Sequence, residues 1–270
     1  MDLAQLFVES STFAWRFLDS AERAGFTPRE ESITERLLVE MVEKAPGQIR
    51  VHKTTTKEEA TTGADLALGI QVRPSLWLSL LIQAKKLDYR SGTYREFAKA
   101  SAFQQASHLI ASAARAGCAP IYLLYNGTSL GPVGSMNVMA GCTLKDLRRG
   151  EQGPAWLGES PLGCTVVDAE TVKNLIHSSF AATPASMSQD AAPWECLLCP
   201  FAQGGRPKPL PWPAPSRRAP AVVESGIDVP WLRSEPPAWL AALLSGANPE
   251  ETPEAPDARH FVALQITGTG

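Results

Sequence analysis

The sequence predicts an α/β protein in which helices flank a mixed central sheet. Residues 76–84 (LWLSLLIQA) are almost entirely apolar, which is typical of a strand buried on both faces of a sheet. Residues 119–125 (APIYLLY) form a second such run, and the turn signal Asn126-Gly127 follows it. Before and between these runs, apolar residues recur at helical spacing. The predicted elements therefore follow the order α-β-β-β-α-β up to residue 126.

Two helices are predicted ahead of the first strand. Residues 1–24 carry an apolar stripe at helical spacing, and Gly25 is positioned to end that helix. A second stripe predicts a helix over Ser32–Lys44, which the Pro46-Gly47 pair ends. Both helices are expected to pack on the sheet through their apolar sides.

Strands and one long helix are predicted next. Residues 49–55 (IRVHKTT) form a strand, and a hairpin follows whose first strand begins at Asp65 and whose turn lies at QVRPS. The second strand of the hairpin is the apolar run at 76–84. A helix is then predicted over Tyr94–Ala116, ahead of the second apolar run.

The C-terminal part has a different composition. A strand at Cys164–Val167 and a helix at Ala169–Phe180 are predicted before it. Residues 206–220 are rich in proline and favour an extended arm with polyproline II character. A short helix (PAWLAALLSG) and a terminal strand (HFVALQI) are predicted to pack back on the core. We therefore divide the chain into a core with its N-terminal helix, residues 1–180, and an extension, residues 181–270.

Composition and charge set the broad class. Hydrophobic residues make up 44% and charged residues 20% of the 270-residue chain, as in ordinary globular proteins. The sequence contains no secretory signal and no apolar stretch long enough to span a membrane, and its five cysteines are scattered, so we predict a cytoplasmic protein with reduced thiols. The net charge of −3 is uneven, because residues 1–150 are net positive and residues 151–270 are net negative.

Three polar residues bracket the predicted hairpin. Asp65 stands at its start, and Gln83 and Lys85 stand near its end. Because side chains alternate along a strand, Gln83 and Lys85 leave on the same face, and the partner strand can bring Asp65 beside them. An acid, an amide oxygen and a lysine on one sheet edge are able to hold a divalent metal and a water against a phosphate. The alternative is a strand-edge acid and a satisfied strand-end amide with no chemical role.

At these residues the sequence resembles the PD-(D/E)XK nuclease superfamily, in the variant with glutamine in place of the second acid. The matching segments are SITERLL, TTGAD, IQAKKLD, QASHLI and PIYLLYN, which cover roughly residues 30–126. The resemblance is closest to an uncharacterised bacterial family of that type. It implies a restriction-endonuclease-like core and an endonuclease that hydrolyses phosphodiester bonds with Mg²⁺, or Mn²⁺ in its place.

The resemblance also implies roles for individual residues. Asp65 and the carbonyl oxygens of Gln83 and Ala84 would hold the metal, and Lys85 would orient the attacking water. Glu35, on the second helix, matches the acid that such enzymes often bring to the metal. It also fits a capping box with Ser32, and a side chain that caps a helix is not free to ligate metal.

Substitutes for the helix acid and a helix glutamine complete the predicted site. If Glu35 only caps, Glu31 and Glu40 are the candidate acids. Gln105 lies where the superfamily often places a glutamine facing the cleft, with Gln104 as the fallback. An exposed glutamine on a helix is commonplace, so a surface position is the alternative.

Partners and competing functions remain open. Nucleic acid is the predicted partner, DNA before RNA, and no membrane partner is predicted. A homodimer and a protein partner for the C-terminal extension are further options. Cys196 and Cys199 form a lone C-x-x-C pair, for which we predict no zinc because a zinc site needs about four ligands. The competing functions are an inactive nuclease-like binding module and a structural protein that assembles through its tail.

Overall fold

The fold is a mixed α/β arrangement with one open sheet flanked by helices. The computed structural model describes residues 3–54, 64–127, 163–178, 182–187, 190–198 and 231–265. The proline-rich stretch 206–220 and Cys199 lie outside these residues. Within them, no helix is long and apolar enough to cross a bilayer.

Six α-helices are found in the described residues: α1 Leu3–Arg23, α2 Glu30–Lys44, α3 Ala102–Ala116, α4 Ala169–His177, α5 Pro184–Met187 and α6 Ala238–Ser245. Short 3₁₀ segments cover Arg95–Ala98, Trp194–Leu197 and Pro249–Glu251. The predicted ends of α1 and α3 are confirmed, since Gly25 and Gly117 follow them at positive φ.

Eight strands are found in the same residues: β1 Ile49–Lys53, β2 Leu66–Arg73, β3 Leu76–Lys86, β4 Ala119–Tyr125, β5 Cys164–Asp168, β6 Ala192–Pro193, β7 Leu232–Arg233 and β8 His260–Leu264. Their order across the sheet is β1-β8-β2-β3-β4-β5-β6, and β7 pairs with β3. β2 and β3 form the predicted antiparallel hairpin. β3 and β4 are parallel, so the sheet is mixed.

Each face of the sheet is covered by its own helices. α1 and α2 pack on one face, where Leu68, Leu80 and Ile82 point into an apolar cluster with the α2 residues Ile33 and Leu37. On the opposite face, α3, α4 and α6 cover a second cluster, whose strand residues include Ala67, Leu81, Tyr122 and Phe261. Successive residues of β3 therefore alternate between two apolar layers, and this explains why the run at 76–84 is continuously apolar.

The terminal strand β8 lies in the middle of the sheet. It pairs antiparallel with β1 and parallel with β2, and all five of its residues are buried. The prediction that this strand and the short helix α6 pack back on the core is confirmed. The division of the chain at residue 180 stays a prediction, although β8 lies between two strands of the first part.

The helix predicted over Tyr94–Ala116 is wrong in its first two turns. Residues Arg95–Ala98 form a 3₁₀ turn, and α3 begins only at Ala102. Tertiary contacts hold this turn, because the buried Tyr94 donates its hydroxyl hydrogen bond to Asn126 at 2.5 Å and its backbone N–H to Ala182 O at 2.8 Å. Helical periodicity depends on neighbouring residues only, so it does not reveal that Tyr94 is held by Asn126 and Ala182 from distant parts of the chain.

Asp168 is expected to make the stability of the protein depend on pH. This buried residue caps α4 by accepting a hydrogen bond from Thr171 N at 2.6 Å. Burial raises the pKa of its carboxyl from 3.8 to about 6. The native state therefore holds this proton to a higher pH than the unfolded chain, and stability falls as pH rises through that window.

Asp168→Asn removes the titration but keeps a good cap. Between about pH 4 and pH 7, the free energy of unfolding of the variant should rise relative to that of the wild type by about 1–3 kcal/mol. Urea unfolding of both proteins at the two pH values measures this gain. Parallel pH dependence of the two proteins would contradict the prediction.

Candidate functional site

The hairpin brings Asp65 and Gln83 into contact. Leu66 pairs with Ile82 across the two strands, so Asp65, one residue earlier, lies beside Gln83. Gln83 Nε2 donates a hydrogen bond to Asp65 Oδ2, and Ala84 N donates to the same oxygen at 2.9 Å. The Asp65 backbone N–H is tied to Ile82 O at 2.8 Å. The structure therefore joins these two predicted site residues through side chain and backbone together.

Lys85 is a buried cation at the same end of the sheet. Alternation along β3 places it on the face of Gln83, and only 3% of its surface is exposed. In the described part of the chain, its ammonium has no hydrogen bond or ion pair. Its charge nevertheless reaches two carboxyls, because it lowers the pKa of both Asp65 and Glu30. Burial of a lysine side chain is costly, and charged side chains held in such positions are often functional.

The Asp65 carboxyl is also largely buried. Its side chain is 13% exposed, and desolvation raises its pKa above the ordinary value. The hydrogen bond from Ala84 N and the charges of Lys85 and Arg259 act in the opposite direction. Oδ2 carries the two hydrogen bonds, whereas the described cation closest to Oδ1 is Arg259, whose Nε lies 3.8 Å away. Oδ1 is thus the oxygen that can accept a further cation.

Glu30 is a site residue that the sequence interpretation missed. It opens α2, and its Oε1 accepts a hydrogen bond from Lys86 N at 2.8 Å, one residue after Lys85. Burial raises its pKa, and the Lys85 ammonium partly offsets that rise. A signal for Glu30 does exist in the sequence, since extending the buried stripe of α2 back by one turn from Thr34 arrives at residue 30.

The capping-box prediction for Glu35 is wrong. α2 begins two residues before Ser32, its N-cap is Arg29, and that position has no side-chain cap. Glu35 instead pairs with Lys53 of β1 at 2.5 Å, and that hydrogen bond lowers its pKa. Glu35 pairs with Lys53 and Glu30 reaches the sheet end because the two residues lie about 140° apart around α2. The fallback Glu40 pairs with Lys44 along the helix at 3.4 Å.

Two further residues reach the site from the start of β8, namely His260, its first residue, and Arg259, which directly precedes it. Arg259 Nη1 lies 3.4 Å from Glu31 Oε2, so the fallback acid Glu31 is linked to Asp65 through one guanidinium. His260 donates its backbone N–H to Asp65 O at 3.1 Å. Its buried imidazole has a pKa lowered by desolvation, and among the described residues its Nε2 has no hydrogen-bond partner. Sequence reasoning missed both residues because only the pairing of β8 with β2 brings them here.

Gln105 and Lys86 are both partly buried near the predicted site residues. Gln105 is half-buried in the first turn of α3, over the sheet face that carries Gln83 and Lys85, and no hydrogen bond joins it to the predicted site residues. Its neighbour Gln104 is exposed. Lys86, the next residue of β3, leaves on the opposite face and is half-buried. Its Nζ donates to Pro28 O at 2.7 Å, and desolvation lowers its pKa.

The donor atoms at this end of the sheet suit a hard cation. Asp65 Oδ1 and the carbonyl oxygens of Gln83 and Ala84 are all oxygen ligands, as Mg²⁺ and Mn²⁺ prefer. Gln83 turns its Nε2 toward Asp65, so its side-chain oxygen would have to replace that nitrogen to ligate the same ion. The described residues hold no group of three or more His, Cys, Asp or Glu placed for a metal. This donor set fits an ion that keeps several waters and uses one or two carboxylates, as Mg²⁺ does.

The predicted zinc-free C-x-x-C segment can be followed only in part. Cys196 is buried in the apolar cluster under α1, and Cys199 lies outside the described residues. The absence of zinc at this pair stays a prediction.

Comparisons with known proteins place the whole chain in one family. No curated protein and no solved structure matches it significantly. Residues 3–265, which include the hairpin, Glu30 and the terminal strand β8, match a single family description. The chain therefore belongs to the family of unknown function DUF6615.

Proposed function

We propose that the chain is a metal-dependent nuclease of the PD-(D/E)XK type, with glutamine as the second site residue. One observation carries the proposal: Asp65 contacts Gln83, and the buried ammonium of Lys85 lies on the same face within electrostatic reach of Asp65 and Glu30. A binding surface does not require a desolvated acid and a desolvated lysine side by side. Hydrolysis of a phosphodiester uses both.

The order of elements supports the same class. The series α2, β1, β2, β3, α3 and β4 repeats the α-β-β-β-α-β order that the resemblance implies, with the site on the β2–β3 hairpin. β8 departs from that pattern because it lies between β1 and β2. The departure leaves the hairpin intact and adds Arg259 and His260 to the end of the sheet that carries Asp65.

The roles of the residues follow from their positions. Asp65 Oδ1 and the carbonyl oxygens of Gln83 and Ala84 would hold the ion, and Glu30 offers a second carboxylate at the same sheet end. A bound Mg²⁺ or Mn²⁺ would lower the pKa of a water and neutralise charge on the phosphate. Lys85 would donate a hydrogen bond to that water and keep its oxygen aligned with the phosphorus. In the metal-free protein Gln83 Nε2 holds Asp65 Oδ2, and its side-chain oxygen would replace that nitrogen when the ion binds.

DNA is the proposed substrate. Residues 1–150, which contain most of the site, carry an excess of positive charge, whereas the rest of the chain is net negative. The basic side chains of this segment are candidates for attracting a polyanion. Arg29 and Arg90 are exposed on this half and are available to phosphate.

The direct test measures cleavage of plasmid DNA and of labelled DNA and RNA oligonucleotides with Mg²⁺, with Mn²⁺ and with EDTA. We expect metal-dependent cleavage by the wild type. Asp65→Asn should lose cleavage and weaken metal binding by at least roughly tenfold, because a hard cation depends on carboxylate oxygen. Calorimetric titration with Mn²⁺ measures the affinity, and the thermal midpoint shows that the variant is folded. Absence of cleavage by the wild type on every substrate and metal would reject the nuclease.

An inactive nuclease-like module that binds nucleic acid or a partner protein is the second candidate. The observation in its favour is that the described residues hold no group of three acidic or other ligating side chains at the site. Such a module would bind DNA with an affinity that does not respond to divalent metal. Fluorescence anisotropy with and without EDTA separates the two candidates.

A further inference from the structure

Arg259 stands where a cation would be needed in the metal-free protein. Its Nε lies 3.8 Å from Asp65 Oδ1, and its Nη1 lies 3.4 Å from Glu31 Oε2. The two carboxylates repel each other, since the charge of Glu31 acts to raise the pKa of Asp65. A guanidinium that spans both acids offsets this repulsion.

The contact uses the Asp65 oxygen that accepts no hydrogen bond from the residues that the structure describes. Asp65 Oδ2 is held by Gln83 Nε2 and Ala84 N, which leaves Oδ1 for a cation. Arg259 therefore faces the same oxygen that a divalent ion would use. An ion at Oδ1 and the guanidinium in its present position would repel each other, so both cannot occupy this place.

The contacts of the Arg259 guanidinium with the two carboxylates are weak. Both distances exceed those of a good charge-assisted hydrogen bond, and 40% of the side chain is exposed. Exposed ion pairs of this kind contribute little to stability. The backbone of the same segment is firmly placed, because His260 N donates to Asp65 O and begins β8. The guanidinium can therefore move while its anchor stays.

We propose that Arg259 is a two-position residue that exchanges the Asp65 carboxylate for a substrate phosphate when the metal binds. In the metal-free protein it neutralises Asp65 and Glu31. When an ion takes Oδ1, the guanidinium turns outward beside the site and binds a phosphate oxygen of the DNA, for which its planar fork is suited. This inference rests on the proposed function, because it assumes that Asp65 holds a divalent ion.

Two affinities should change in opposite directions when Arg259 is replaced. Arg259→Gln removes the competing cation, so its affinity for Mn²⁺ alone should rise by roughly threefold to tenfold over the wild type. The same variant should bind a DNA duplex roughly threefold to tenfold more weakly in Ca²⁺, because one phosphate contact is lost. A cation that did no more than pair with Asp65 would also raise the metal affinity when removed, but its loss would leave the DNA affinity unchanged, so the loss of DNA affinity is the discriminating result. Arg259→Lys keeps the charge but not the fork, so it should recover the metal affinity of the wild type and only part of the DNA affinity.

The experiment titrates Mn²⁺ by calorimetry and DNA by fluorescence anisotropy for the wild type and these variants. Arg115→Gln is the matched control, since it makes the same change of charge at the C-terminal end of α3, where Arg115 contacts Ser112. The control should resemble the wild type in both titrations. An unchanged or reduced Mn²⁺ affinity of Arg259→Gln, in a wild type that binds Mn²⁺, overturns this inference and leaves the nuclease proposal standing. A wild type that binds no divalent metal overturns both.

Discussion

Replacing Lys85 with methionine is expected to lower metal-dependent cleavage by about 10²- to 10⁴-fold while the protein stays folded. The ammonium is the only proposed group that positions the attacking water, so its loss removes a contact that the reaction needs. Methionine matches the length of lysine and is apolar, which suits a side chain that is only 3% exposed. Alanine would leave a cavity at this buried position and confuse loss of function with loss of stability.

The charge balance of the site limits the cost to stability. Lys85 contributes a favourable charge to Asp65 and Glu30, but its own burial opposes folding. Removing it changes two opposing contributions together, so we expect a small net shift of the thermal midpoint. The measurements are the cleavage rate at saturating Mg²⁺ and the midpoint of thermal unfolding.

Lys86→Met is the matched control. It makes the same substitution on the neighbouring residue of β3, whose side chain leaves on the opposite face and donates to Pro28 O. We expect its cleavage rate to stay within a few-fold of that of the wild type. Equal losses in the two variants would mean that general charge near the site, and not the position of Lys85, supports the reaction.

Val262→Asp is expected to abolish cooperative folding. Val262 has no exposed surface, lies in the apolar cluster between β1 and β2, and pairs with Val51 and Leu68 across the sheet. An unpaired carboxylate there costs several kcal/mol, against a total stability of about 5–15 kcal/mol for a typical domain. The site should be lost as well, because β8 directly follows Arg259 and its first residue, His260, holds the Asp65 backbone.

The control for this substitution is Val51→Asp, on the edge strand β1. Val51 faces Val262 in the register but is 40% exposed, so a carboxylate there stays hydrated. Circular dichroism and urea unfolding compare the two variants with the wild type. If Val262→Asp unfolds cooperatively near the wild-type midpoint, β8 is not part of the cooperative core.

Local patterns were sufficient for most of the elements. The helical stripe of α1, the continuous apolar runs of β3 and β4, and the terminal strand β8 are all recognisable from the sequence because each depends on neighbours within a few residues. The start of α3 is not, since two distant hydrogen bonds hold Tyr94 and the 3₁₀ turn ahead of the helix. The half-burial of Lys86 likewise depends on Pro28, from another part of the chain.

The sequence by itself predicted that Asp65, Gln83 and Lys85 lie on one face of a hairpin, because side chains alternate along a strand, and the structure confirms the contact of Asp65 with Gln83. Only the tertiary structure decided which acid of α2 approaches them. Glu30 lies on the side of α2 that meets the sheet end, whereas Glu35, about 140° around the helix, pairs with Lys53. Likewise, only the tertiary structure shows that β8 pairs with β2, and this pairing places Arg259 near Asp65. Pairing between strands nearly two hundred residues apart depends on the packing of both sheet faces, which no local pattern contains.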